Sequence, residues 1–238
     1  MTTPPSLQGS LMVAHDLLKR FSAGFQRFQK TWYCPDNNLY EELRLAQHPY
    51  ALVIACSASR VDPVFLLDAT PGDLFVIRNV ANLIPPYEPD SHHHGVSAAL
   101  EYAVRHLRIE HIIVMGHAHC GGFTSLLEIS HSDDEFLNIW MSLACRAKAE
   151  VDRTLPHASA EERQRACEMW GVRFSLENLM GYPWIRKAVE EEELSLHGLY
   201  FDMSTGELLS FDREQDAFLP LVQGCVSKTR NPESEKSA

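Results

Sequence analysis

The sequence predicts an α/β fold in which a central, mostly parallel sheet is flanked by helices. Two short apolar segments, YALVIAC (50–56) and HIIVMGH (111–117), have the length and composition of buried parallel strands. A third, DLFVIRNV (73–80), follows a TPGD turn. Between the strands, GVSAALEYAVRHLRI (95–109) keeps helical spacing. Strand and helix therefore alternate as in right-handed crossover units.

The remaining segments predict one domain with two extensions. Residues 1–48 form a helical arm, because apolar residues recur at three- and four-residue spacing up to a turn at CPDNN (34–38). Residues 49–215 form the α/β domain, which is mostly helical after residue 122, with a break at Gly181 and Pro183. A C-terminal hairpin is predicted from LSLHGLYFDM (194–203) and ELLSFD (207–212). Residues 216–238 are predicted to form a polar tail.

Composition excludes several classes of function. The chain has 238 residues and a net charge of −11 at pH 7, so it lacks the basic surface that nucleic-acid binding requires. No apolar run reaches the roughly 18 residues of a membrane helix, and the first 20 residues lack the pattern of a secretory signal. We therefore expect a cytoplasmic or organelle-lumen protein, with the cytoplasm favoured, and neither nucleic-acid nor membrane partners.

Three potential metal ligands lie at or just after the ends of predicted strands. Cys56 and His117 each end an apolar strand, and Cys120 comes three residues later, before Gly121 and Gly122. Sites in open α/β sheets form at the carboxyl ends of strands, and two thiolates with one imidazole suit Zn²⁺ with an open fourth position. A strand-end cysteine alone is more often a small buried hydrophobe, and His-x-x-Cys alone is common. Only the combination is specific. The other cysteines lack a histidine at ligand spacing: Cys34, Cys145, Cys167 and Cys225.

These motifs resemble those of the β-class carbonic anhydrases. The family has a Cys-x-Asp-x-Arg segment and a His-x-x-Cys-Gly-Gly segment, which here read CSASR (56–60) and HAHCGG (117–122). The resemblance covers roughly residues 45–213, and ANLIPPYEP (81–89) is typical of the plant-type branch. Other matching stretches are PGDLFVIRNV (71–80), GVSAALEYAVRHL (95–107), SLENLMGYPWIR (175–186) and LHGLYFD (196–202).

The resemblance implies reversible hydration of carbon dioxide to bicarbonate and a proton by zinc-bound hydroxide. Cys56, His117 and Cys120 would bind Zn²⁺. Apart from the resemblance, we expect His119, which lies between two of these ligands, to point away from the metal. The residues implied to serve the substrate are Gln47, Phe75, Val80, Tyr102 and Gly121. The resemblance further implies a dimer with a shared active site, in which Gln47, Phe75 and Tyr102 serve the neighbouring subunit's zinc; such dimers can associate further into tetramers or octamers.

The sequence departs from the family at Ala58, where the family has an aspartate that pairs with the arginine, here Arg60. Ala58 can neither accept a hydrogen bond from zinc-bound water nor bind the metal through its side chain. Three interpretations follow: a carbonic anhydrase with lowered turnover, a hydrolase of carbonyl sulfide or carbon disulfide, and a non-catalytic zinc protein. Asp62 lies two residues beyond Arg60 and is a poor substitute for the missing acid. We favour the first interpretation, because changes around a metal's ligands typically cost about 10- to 100-fold.

Overall fold

The computed structural model describes residues 14–128 and 133–224. The chain divides into two compact units, residues 1–47 and 48–238. Within the described ranges, no helix combines the length and the apolar character needed to cross a membrane.

Within the region predicted as a helical arm, the first unit contains two helices, α1 (Ala14–Trp32) and α2 (Leu39–Leu43). Residues 1–13 of that prediction lie outside the described part of the chain. The turn between the two helices contains the CPDNN segment. Aromatic rings join the two helices: Tyr40 packs edge-on against Phe28 at a centroid distance of 5.3 Å and stacks on Tyr33 at 5.0 Å. These ring contacts fix the angle of the turn.

A six-stranded sheet forms the centre of the second unit, with the order β2-β1-β3-β4-β5-β6. The first four strands in space run parallel, and the last two join as antiparallel hairpins. The predicted mostly parallel sheet and the β4–β5 hairpin are thus confirmed. The strands are β1 (Ala51–Cys56), β2 (Leu74–Asn79), β3 (His111–His117), β4 (Ser195–Asp202), β5 (Glu207–Asp212) and β6 (Ala217–Val222).

The sixth strand corrects the expectation that a polar tail begins at residue 216. Ala217–Val222 pairs with β5, and Phe218 packs on Phe211 and Tyr200 at centroid distances of 5.3 and 6.2 Å. The segment is short and apolar and contains Pro220, which an edge strand tolerates because one of its sides needs no ladder donor. Residues 225–238, on which the rest of that expectation falls, lie outside the described residues.

Helices connect and flank the strands of the second unit. The predicted helix at 95–109 is present as α4, which continues as a π-helical turn over Tyr102–Leu107. Short 3₁₀ turns occur at Val80–Asn82 and Ser142–Ala144. The α-helices are α3 (Pro63–Leu66), α4 (Gly95–Glu101), α5 (Gly121–Leu127), α6 (Leu137–Met141), α7 (Cys145–Thr154), α8 (Ala160–Gly181) and α9 (Pro183–Glu190).

The longest helix, α8, has clear sequence signals at both ends. Ser159 and Glu162 form a reciprocal capping box at its start. It ends at Gly181 and α9 begins at Pro183, which confirms the break predicted there. Its buried residues Val172, Leu176 and Leu179 belong to the same apolar cluster as residues of the central strands.

Side chains along β1 point alternately to the two faces of the sheet, which places the side chain of the last residue, Cys56, on the face covered by α8. All six residues of β1 are buried. Leu52 and Ile54 pack in the cluster that includes α8, whereas Val53 and Ala55 pack in a separate cluster on the opposite face. Side chains two residues apart share a face, so Cys56 continues the row of Leu52 and Ile54.

Candidate metal centre

The structure brings the three predicted ligands together. Cys56 ends β1, His117 ends β3, and Cys120 precedes the first turn of α5. Their ligand atoms all lie within 4.8 Å of one another, and all three residues are buried. The two Sγ atoms are 3.9 Å apart. Because β1 and β3 are adjacent parallel strands, their carboxyl ends meet at one edge of the sheet.

A tight turn returns Cys120 to the end of β3. His119 adopts φ = 57°, a left-handed conformation that is uncommon for residues other than glycine. The turn is anchored to the sheet because the Ala118 N–H donates to the Phe201 carbonyl at 2.9 Å. The His119 side chain points away from the thiols and forms a 2.9 Å hydrogen bond with the Ser204 hydroxyl. The turn therefore presents His117 and Cys120, but not His119, to Cys56.

Hydrogen bonding selects the tautomer of His117. Its Nδ1 lies 2.8 Å from the Ala118 carbonyl oxygen, which can only accept, so Nδ1 carries the proton. Its Nε2 is buried and has no hydrogen-bond partner among the described residues. A neutral imidazole fixed in this way presents the Nε2 lone pair to the two thiols, as metal-binding histidines do.

The surroundings of Cys56 favour its thiolate. Its pKa is held below the ordinary value of a thiol, first because the Cys120 thiol donates a hydrogen bond to it. Burial opposes this shift, but the neighbouring His117 ring and the backbone N–H groups of Ala58 and Ala81 add to it. The pKa of Cys120 lies above its ordinary value, because this thiol donates the hydrogen bond to Cys56 and because it is buried. The backbone N–H groups of Phe123 and Gly122 act in the opposite direction. A divalent cation in place of the shared proton would stabilise both thiolates.

The donor set fits Zn²⁺. Two sulfurs bound to a tetrahedral zinc at about 2.3 Å each lie about 3.8 Å apart, close to the 3.9 Å between the Cys56 and Cys120 sulfurs. The unpartnered Nε2 of His117 supplies the third donor. Within residues 14–128 and 133–224, no fourth cysteine, histidine or acid joins the group. Three protein ligands with one open position are typical of a catalytic rather than a structural zinc site.

Arg78, which sequence reasoning missed, holds the loop after Cys56. Its guanidinium donates to the Cys56 carbonyl at 3.0 Å, to the Ala58 carbonyl at 2.6 Å and to the Asp62 carboxylate at 2.9 Å. Asp62 also caps α3 by accepting from the Val64 N–H at 3.0 Å. Asp62 is thus engaged by Arg78 and α3, so it does not replace the acid missing at Ala58.

Arg60 lies beside the turn between the ligands. Its Nη2 donates to the His119 carbonyl at 3.1 Å, and the side chain is exposed. In the described parts of the chain Arg60 has no acidic partner within ion-pair distance. Ala58 is partly buried and offers only its backbone groups to the site. A positive charge therefore lies next to the ligand turn without a neutralising carboxylate.

The residues predicted to serve the substrate lie at different places. Val80 lies against the first turn of α5, since a Cβ built on Gly122 would be 2.9 Å from its Cγ1. Gly121 faces open space. Phe75 and Tyr102 pack together with ring centroids 6.0 Å apart.

Phe75 lies along β2, away from the metal-binding edge of the sheet. It pairs with Leu52, four residues before Cys56 in the strand register, which corresponds to about 13 Å along the strand. Gln47 is the exposed last residue of the first unit. One chain thus brings Val80 and Gly121 near the metal ligands, but not Phe75.

Glu168 is a second residue that sequence reasoning missed. It lies on α8, is 1% exposed, and accepts a 2.8 Å hydrogen bond from the backbone N–H of Cys120. An acid among buried residues of a helix is the available sequence signal, because carboxylates are seldom fully buried without a partner. Its neighbour Cys167 is a buried free thiol whose pKa burial raises to about 12, and it lies outside the ligand group.

Comparison with known proteins identifies the family. Residues 51–208 match the family model described as carbonic anhydrase. The chain is 39% identical over 197 residues to beta carbonic anhydrase 5, chloroplastic, of Arabidopsis thaliana, an alignment that covers 82% of this chain and 64% of that protein. It is 35% identical to beta carbonic anhydrase 3 of the same plant, with 80% and 75% covered. The chain thus spans slightly less than two thirds of the first relative.

Solved structures agree with this assignment. The β-carbonic anhydrase CcaA matches with a TM-score of 0.81 and 33% identity, covering 87% of this chain and 93% of that one. A β-carbonic anhydrase from Sordaria macrospora, one of two described as tetrameric, matches with a TM-score of 0.69 and 30% identity, covering 82% and 95%. With the buried Cys56, His117 and Cys120 group in place, the chain belongs to the β-class of the carbonic anhydrase family.

Proposed function

We propose that this protein catalyses the zinc-dependent, reversible hydration of carbon dioxide to bicarbonate and a proton. The observation that carries the proposal is the buried group of Cys56, His117 and Cys120, with sulfurs 3.9 Å apart and an unpartnered imidazole nitrogen. Family membership supports the same reaction. Zinc bound there would supply hydroxide near neutral pH by lowering the pKa of a water molecule from 15.7 to about 7.

Groups of the protein around the site determine how far bound zinc would lower the pKa of its water. Two thiolates donate more negative charge than neutral imidazoles, which opposes deprotonation of the water. Backbone N–H groups directed at both sulfurs withdraw some of that charge. Arg60 adds a positive charge beside the ligand turn. These contacts support deprotonation of a zinc-bound water despite the two thiolate ligands.

Ala58 lowers turnover without abolishing it in this proposal. Its methyl group cannot orient the water or accept its proton, and Asp62 is already engaged by Arg78. Loss of such an orienting group typically costs about 10- to 100-fold. Hydration should therefore be slower than in a variant that carries a carboxylate at position 58.

The substrate pocket is completed by a second copy of the chain in this proposal. Val80 and Gly121 contribute from the same chain as the metal. Phe75 lies too far along β2 to do so. Tyr102 packs against Phe75 and is 45% exposed, so we assign both, with Gln47, to the partner's site. The Sordaria macrospora relative is described as tetrameric, which supports association of this chain at least into dimers.

The test compares substrates on one zinc-loaded preparation. Stopped-flow hydration of carbon dioxide is measured with a pH indicator, and sulfide release is measured from carbonyl sulfide and carbon disulfide. We expect carbon dioxide to be the preferred substrate. Preference for a sulfur analogue would favour the hydrolase interpretation, and no turnover of any of the three at full zinc occupancy would leave a non-catalytic zinc protein.

A further inference from the structure

Glu168 is a buried carboxylate that the chemistry proposed so far does not use. It projects from the middle of α8, is 1% exposed, and is directed toward the ligand turn. A charged group in such a place requires a full set of hydrogen bonds.

Three hydrogen-bond donors surround the buried carboxylate of Glu168. One oxygen accepts the Cys120 backbone N–H at 2.8 Å and the Gln164 side-chain amide at 3.0 Å. The other accepts the Tyr200 hydroxyl, itself buried, at 2.7 Å. All three partners act as donors, which matches a carboxylate that only accepts. The side chain therefore has one position, set by α8 and β4 together.

The hydrogen bond to Cys120 restrains the most distorted part of the site. The preceding residue, His119, has the left-handed conformation that lets Cys120 return toward Cys56. Glu168 holds the exit from this turn, and Arg60 binds the His119 carbonyl within it. Without Glu168, the N–H of Cys120 would lose its carboxylate partner, and the turn could relax in a direction that separates the two sulfurs.

We propose that Glu168 is a positioning residue of the metal centre: its carboxylate, clamped by Tyr200 and Gln164, fixes the backbone of Cys120 so that both sulfurs and the His117 nitrogen face one ion. This inference rests on the proposed function, because the ion is the zinc assigned there. It predicts that Glu168 controls metal affinity and ligand geometry although it touches neither metal nor substrate.

A cavity beside Glu168 can supply water to the groups that lose their hydrogen bonds when this side chain is truncated. A cavity of about 230 Å³ is lined by Ala118, His119, Glu168 and Tyr200, among other residues. Water entering a polar space of this size can hydrogen-bond the groups that the carboxylate leaves. We therefore expect Glu168→Ala to fold, with Cys120 held less rigidly.

The experiment compares Glu168→Ala, Glu168→Gln and Ser175→Ala with the unchanged chain. Zinc affinity is measured by competition with a chromophoric chelator, and ligand geometry by the thiolate-to-metal absorption band of the cobalt(II)-substituted protein. Glu168→Ala should weaken zinc binding by about 10- to 100-fold and change the cobalt band. Glu168→Gln keeps an oxygen for the Cys120 N–H and should recover most of the affinity. Ser175, buried on the same helix but bonded to Ile84 and Asn82, is the structural control.

The outcomes separate this inference from the proposed function. Failure of the unchanged chain to bind zinc at one per chain would overturn both. Zinc binding by Glu168→Ala with full affinity and an unaltered cobalt band would overturn the positioning role alone, as would an equal effect of Ser175→Ala. If Glu168→Ala does not fold, Tyr200→Phe removes one of the clamping bonds and should produce a weaker change in the same band; an unchanged band would then refute the role.

Discussion

The two glycines after Cys120 should respond differently to the same substitution. A Cβ on Gly122 would lie 2.9 Å from Val80 Cγ1, 3.1 Å from the Ala81 Cβ and 3.3 Å from the Met141 sulfur. A Cβ on Gly121 would meet nothing within 4 Å. Overpacking typically costs about 1–3 kcal/mol, whereas replacing glycine by alanine in a helix gains up to about 1 kcal/mol. With a mid-range cost of about 2 kcal/mol and a gain of at most about 1 kcal/mol, Gly122→Ala should lose about 1–2 kcal/mol net.

The expected loss is large enough to measure by thermal unfolding. For a domain of this size, 1 kcal/mol shifts Tm by about 2–4 °C, so Gly122→Ala should melt roughly 2–8 °C below the unchanged chain. Gly121→Ala, the matched control, should melt at the same temperature or slightly higher. Both variants are measured without metal and with zinc, since metal binding raises apparent stability.

Gly122→Ala should also weaken zinc binding. Ala81 directs its N–H at the Cys56 sulfur and Gly122 directs its own at the Cys120 sulfur, so forcing the two residues apart disturbs both ligands. If Gly122→Ala proves as stable as Gly121→Ala and binds zinc equally well, the close packing described for this turn is wrong.

Three further predictions concern the loop, the sheet and α8. Ala58→Asp should raise kcat for carbon dioxide by about 10- to 100-fold by placing a carboxylate near Arg60, and Ala58→Asn, of similar volume, should gain less in the same stopped-flow assay. Burial raises the pKa of Asp202, but its hydrogen bond from Arg165 and nearby backbone N–H groups lower it more, and the net pKa is below the usual range. Asp202 therefore stabilises the folded state above about pH 3.9, and this contribution is lost as pH falls through the lower folded-state pKa. Asp202→Asn should lower the free energy of unfolding at pH 7, and that free energy, measured with urea, should then fall less steeply as the pH is lowered into the acid range. Ser159→Ala removes the α8 capping box and should cost about 1 kcal/mol in urea unfolding at pH 7, whereas unchanged stability would argue against the cap.

The parts of the fold that follow from local pattern were predictable. β1 and β3 are continuous apolar runs, and their observed bounds differ from the predicted ones by at most one residue. The break between α8 and α9 follows from Gly181 and Pro183, which end one helix and begin the next. Because Cys56 and His117 end these two strands and Cys120 comes three residues later, their convergence was predictable as well.

The parts that depend on tertiary contacts were not predictable. β6 is too short and too close to the polar tail to be distinguished by pattern, and it is a strand because Phe218 packs on β5 and Tyr200. The role of Arg78 depends on the register of β2 beside β1, which brings it opposite Ala55. Glu168 is 48 residues from Cys120, and only the packing of α8 brings them together.

Carbon dioxide hydration measured as a function of zinc occupancy shows whether zinc held by Cys56, His117 and Cys120 carries the reaction. The metal-free protein is titrated with Zn²⁺, and the hydration rate is recorded by stopped flow beside Cys120→Ser, in which one of the three ligands is weakened. We expect the rate to rise in proportion to bound zinc, to reach a plateau at one zinc per chain, and to be largely lost in Cys120→Ser. A rate that stays at the uncatalysed value when every chain holds zinc, or one that does not depend on zinc, would contradict this expectation.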